Sequence, residues 1–113
     1  MITYSKNLYL TDKTGRDLRK IKRRLKSGAG LMNVKLITLA SNGKDVFDIL
    51  PAFMFKLKNF RKYDHHVIGI AENKKAAFRL IERMTGEYLN DRENISPGMS
   101  MREYFVRSDG SDA

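Results

Sequence analysis

Residues able to meet a phosphate are concentrated in one segment. Between Lys13 and Lys26, eight of fourteen residues are Lys or Arg: Lys13, Arg16, Arg19, Lys20, Lys22, Arg23, Arg24 and Lys26. One acid, Asp17, stands against them, so the segment holds +7 of a formal net charge of +9. Cations at that density concentrate polyanions around them and release counterions when they bind. The spacing predicts a helix over 14–26 in which Leu18, Ile21 and Leu25 form a narrow apolar stripe. Arg16, Arg19, Lys20, Arg23 and Arg24 are then the candidate nucleic-acid contacts. RNA and DNA fit this chemistry equally. An acidic protein or an anionic membrane face would also answer to it, and a merely solvated helix face is the plainest alternative.

A second basic group, Lys56, Lys58, Arg61 and Lys62, is interleaved with Phe55, Phe60 and Tyr63. Cations beside aromatic rings suit single-stranded nucleic acid, whose bases stack while its phosphates are neutralised. The simpler expectation is that Phe60 packs in the core and the lysines stand in water. His65 and His66 are adjacent, so on a strand they point to opposite faces and cannot share an ion. No other ligand stands at metal-binding spacing, which predicts no metal site and no cofactor. The loop Ser41-Asn42-Gly43-Lys44 lies between a strand and the next element but lacks a phosphate-loop frame. Its Asp45 and Asp48 would oppose an anion, so it reads as a turn. No nucleophile, base or carboxylate pair is marked by spacing, which predicts a binding protein with no catalytic residues.

The elements that must carry these residues alternate. Leu8–Leu10 reads as an edge strand, Val34–Ala40 and Val67–Ala71 as buried strands. Asn73 is the expected N-cap of a helix burying Ala77, Leu80, Ile81, Met84 and Tyr88. Ser100 and Glu103 have the spacing of a capping box, which predicts a short helix through Val106. Gly28 is the expected left-handed end of the basic helix, and Gly69 allows a close helix–strand approach.

The segment 45–60 is ambiguous. Val46, Ile49, Leu50, Phe53, Met54 and Leu57 match a helix period, with Pro51 as the objection. Read as a helix, it carries an apolar surplus at Phe47, Pro51 and Phe55. That surplus predicts an interface, either with a second copy in a homodimer or under the C-terminal segment 99–106. A protein–protein adaptor using this face is the second functional reading.

Val34–Phe53, followed by Val67-Ile-Gly-Ile-Ala and a helix opening on Ala-Ala, resembles a group of small uncharacterised bacterial α/β proteins with no assigned activity. The resemblance covers about the middle two thirds of the chain and implies the alternating architecture alone. The expectation is one α/β domain over 1–106, a small sandwich of about three mostly parallel strands with crossover helices and a short C-terminal helix. The residues 107–113 read as a flexible tail. At 113 residues with 42% hydrophobic and 31% charged residues, a real core is affordable without staples. The absence of cysteine, of a leader-like N-terminus and of a long apolar run predicts a cytoplasmic protein with no membrane span.

Overall fold

The computed structural model describes residues 2–29, 33–40, 45–91 and 98–108. Nine residues form β1, Ile2–Leu10. Thr11 then caps α1, Asp12–Arg16: its hydroxyl accepts from the Thr14 N–H while Thr14 Oγ1 accepts from the Thr11 N–H. Asp17 interrupts, and α2 runs from Leu18 to Ser27. The expected helix over 14–26 is thus two helices. Gly28, at φ 72°, closes α2 as anticipated. Next come β2 (Lys35–Leu39), β3 (Phe47–Pro51), a 3-10 segment (Ala52–Lys56), α3 (Lys58–Lys62), β4 (His65–Ala71), α4 (Lys74–Asp91) and α5 (Met101–Ser108).

The protein is mixed α/β, but its sheet is not the expected three mostly parallel strands. Among the described residues four strands lie in the order β1-β4-β2-β3, of which β1 and β4 pair in parallel while β2 is antiparallel to both β4 and β3. The physical reason is the short β2–β3 connection, which can close a hairpin but cannot carry a crossover helix. The edge position expected for the first strand holds, with a parallel neighbour. Between Tyr4 and Tyr9 the register of β1 against β4 shifts, and Ser5 Oγ within that irregularity accepts from the Asn7 N–H.

The helix expected over 45–60 does not form. Pro51 is extended (φ −66°, ψ 130°) at the end of an edge strand, where a missing N–H leaves no ladder bond broken on the open side. The apparent helix period arose from two shorter ones, the alternation of β3 and the three-residue repeat of the 3-10 segment. Strand alternation sends Phe47 and Ile49 to one face of the sheet and Leu50 to the other. The helix face on which Phe47, Pro51 and Phe55 were expected to form an interface is therefore absent, and the three residues are placed separately. Phe55 is fully buried within one chain. Phe47 meets Phe105 of α5 edge-on, with ring centroids 5.3 Å apart. Pro51 is half-buried in β3 opposite Lys35. Phe47 and Phe55 thus pack on opposite faces of the sheet, while Phe53 and Leu57 of the same segment are exposed.

Two cores result. On one face, Ile21 and Leu25 of α2 and Ala52 and Phe55 of the 3-10 segment pack on Leu36, Val67 and Ile70. On the other, Ala77, Leu80 and Met84 of α4 and Phe105 of α5 pack on Tyr9, Ile37, Ile68 and Ala71. Gly69 lets α4 approach: a Cβ there would stand 3.1 Å from Ile37 Cδ1 and 3.5 Å from Leu80 Cδ2. Asn73 Oδ1 accepts from the Ala76 N–H at 2.8 Å, and Ser100 Oγ from the Glu103 N–H at 3.1 Å, so both anticipated caps are present. α5 reaches Ser108, which puts Arg107 in the helix; residues 109–113 of the expected tail lie outside the described residues.

Gly86 lies within α4, which continues to Asp91. A Cβ at Gly86 meets nothing within 4 Å. Gly86→Ala is therefore expected to stabilise the protein by about 0.5–1 kcal/mol, by removing backbone freedom from the unfolded chain. Thermal unfolding checks this through a raised midpoint.

Tyr9 donates from its hydroxyl to Glu87 Oε2 at 2.6 Å. Burial, reinforced by Glu87, raises its pKa well above the ordinary tyrosine value of 10.0. A raised native pKa gives stability that is present below the unfolded value and lost as pH climbs toward the native one. Tyr9→Phe should cost about 0.5–1.5 kcal/mol at neutral pH for the lost hydrogen bond. The gap to wild type should then narrow above pH 10.0, which denaturant unfolding at several alkaline pH values will read. A gap independent of pH would reject the assignment.

Candidate nucleic-acid interface

Helix α2 separates its labour by residue. Ile21 and Leu25 are buried and Leu18 half-buried, so these three hold the helix on the sheet. Arg19, Lys20, Arg23 and Arg24 are all exposed and, at 100° per residue, fall within an arc of about 140° opposite that stripe. Arg16 and Lys13 extend the cationic surface along α1, also exposed. Arg19 and Arg23, like Lys20 and Arg24, are four residues apart, a spacing at which like charges repel by a few tenths of a kcal/mol each, roughly. The helix holds together because packing and its glycine cap outweigh that repulsion.

The structure adds members that the run in the sequence did not reveal. Lys22 is half-buried and its Nζ stands 4.5 Å over the ring of Tyr4 from β1. Burial raises the pKa of Tyr4 above the ordinary tyrosine value. Lys22, Lys26 and Arg61 rim a groove of ≈ 510 Å³ walled by Ile2, Tyr4 and Leu25. Arg61 belongs to the second basic group, forty residues or so along the chain. It comes beside the end of α2 because Gly28 has no side chain: a Cβ there would fall 1.3 Å from Arg61 Nη1. Gly28 thus serves twice, as a left-handed cap and as the seat of a guanidinium. No local signal in the sequence could pair Tyr4, Lys22 and Arg61, since only the sheet edge brings them together.

The remaining candidates divide as follows. Lys56, Lys58 and Lys62 are exposed, while Phe60 is half-buried against the core. Phe55 and Phe60 meet edge-on at 4.9 Å and are occupied with each other and with His65, which stacks on Phe60 at 4.5 Å. They offer no platform to a base; Tyr63, 70% exposed, is the ring of that group turned outward. His65 Nε2 lies 2.8 Å from the Phe60 carbonyl oxygen, whereas His66 Nδ1 lies 2.7 Å from Thr3 Oγ1. Their partners differ, as adjacent strand residues require. Among the described residues no three His, Asp or Glu side chains gather as metal ligands. The loop Ser41–Lys44 lies outside the described residues.

The chain matches no family model, no curated protein and no solved structure. Among the described residues no helix is long and apolar enough to cross a membrane.

Proposed function

We propose that this protein binds nucleic acid through the basic face of α1 and α2, with Arg16, Arg19, Lys20, Arg23 and Arg24 contacting phosphates. One observation carries the reading: all five cations are exposed, while the packing of α2 is done by Leu18, Ile21 and Leu25. The cations are therefore not needed for the fold and are free to track a phosphate backbone. The Tyr4 groove beside them, rimmed by Lys22, Lys26 and Arg61, suits a nucleotide displaced from the main contact line. The function is binding without catalysis, in the cytoplasm, a setting with which a chain free of cysteine is compatible.

The test is a titration of duplex DNA and of single-stranded RNA by fluorescence anisotropy over a range of salt concentrations. Four to five phosphate contacts predict a log K against log salt slope of about −3.6 to −4.5 on duplex DNA and a shallower one on single strands. Absence of measurable binding to either at low salt ends the proposal.

A further inference from the structure

A second cationic site lies away from the face of α2, at the C-terminal ends of the two parallel strands. β1 and β4 are neighbours, with Leu10 opposite Ile70. The long helices that come after them lie on opposite faces of the sheet. α2, after β1, packs on one face of the sheet, and α4, after β4, packs on the other. Adjacent parallel strands whose helices diverge leave a crevice beyond their carboxyl ends, and open α/β sheets bind ligands there. In this protein the crevice is present, with a volume of ≈ 660 Å³, within the range of small-molecule sites.

Its charged lining is predominantly cationic. Lys13 and Arg16 enter from α1, Arg79 and Arg83 from α4. Asp12 and Glu72 oppose these four, which leaves a formal charge of +2. Arg79 and Arg83 are four residues apart, so they repel along α4 as well as across the crevice. The walls are fixed. The buried Thr14 hydroxyl donates to the Ile70 carbonyl at 2.8 Å and ties α1 to β4. The Thr11 hydroxyl donates to Glu72 Oε1 at 2.7 Å, which turns that carboxylate toward the threonine. The guanidinium of Arg83 is further steadied over the Tyr9 ring at 5.6 Å.

We propose that this crevice binds the phosphate group of a small ligand, with Lys13, Arg16, Arg79 and Arg83 as its donors. A formal +2 matches a phosphate dianion, and the forked donors of arginine match its oxygens. The site shares Arg16 with the nucleic-acid face but needs none of the α2 cations, so either reading can fail alone.

The test is an NMR titration of the wild-type protein with adenosine 5′-monophosphate, inorganic phosphate and adenosine in turn. Saturable shifts are expected in amides 10–16 and 72–83, with a Kd of about 1 mM or tighter for the phosphorylated probes and no response to adenosine. Tighter binding of the monophosphate identifies a phosphate ester as the ligand, and equal binding identifies free phosphate; both support the site. Lys13→Glu and Arg79→Glu alter opposite walls at exposed positions, and each is expected to weaken binding by at least about tenfold. Duplex binding by α2 should persist in Arg79→Glu. The proposal is overturned by the absence of saturable shifts, or by shifts that centre on residues 19–26 and survive both substitutions. An equal response to adenosine also overturns it.

Discussion

Phe55→Ala should destabilise the protein by about 3–5 kcal/mol, the usual cost of emptying a large buried aromatic site. Native stability for a domain is about 5–15 kcal/mol in total, so the variant will be marginal at 25 °C. Phe55 is fully buried between α2 and the sheet and meets Phe60 and His65 edge-on at 4.9 and 5.0 Å. The informative comparison is Phe53→Ala. Phe53 is 53% exposed, and its truncation should cost no more than about 0.5 kcal/mol. A continuous helix over 45–60 demands the reverse order, because its core face would hold Phe53 with Val46, Ile49 and Leu50. Denaturant unfolding of the two variants therefore tests the strand and 3-10 turn directly. Equal losses, or a larger loss at Phe53, would reject the arrangement described above.

Replacing Arg19, Lys20, Arg23 and Arg24 together by Gln should flatten the salt dependence of duplex binding by about 0.9 per lost contact, hence about 3.6 in slope. Affinity at low salt should fall by orders of magnitude for the same reason. The fold should survive and gain slightly, since the four are exposed and their i,i+4 repulsions disappear. Lys74→Gln with Lys75→Gln is the control. Both lysines are exposed on α4, which covers the opposite face of the sheet. These two changes lower net charge without touching α2, so the slope should stay nearly as in wild type. If slope tracks net charge alone, equally per residue in both variants, there is no binding face and the cations merely solvate the protein.

By itself the sequence determined the features that depend on neighbours along the chain. The basic segment, the stripe of Leu18, Ile21 and Leu25, the glycine end at Gly28 and the caps at Asn73 and Ser100 are all local, and each is found as expected. The strands around Leu36 and Val67 were equally legible, because continuous β-branched and apolar runs fill two-faced strands. Segment 45–60 misled because six apolar positions satisfy a helix period while Pro51 and the hairpin to β2 satisfy a strand. Pairing with β2, which lies outside the segment, decided between them, and the pattern within 45–60 does not contain it. Tertiary structure alone also set Arg61 against Gly28, Lys22 over Tyr4 and Arg79 across from Lys13. The candidate sites are assembled at the sheet's edge and at its strand ends, where residues far apart in the chain converge. The cations were therefore readable from the sequence, but the crevices they line follow from strand order.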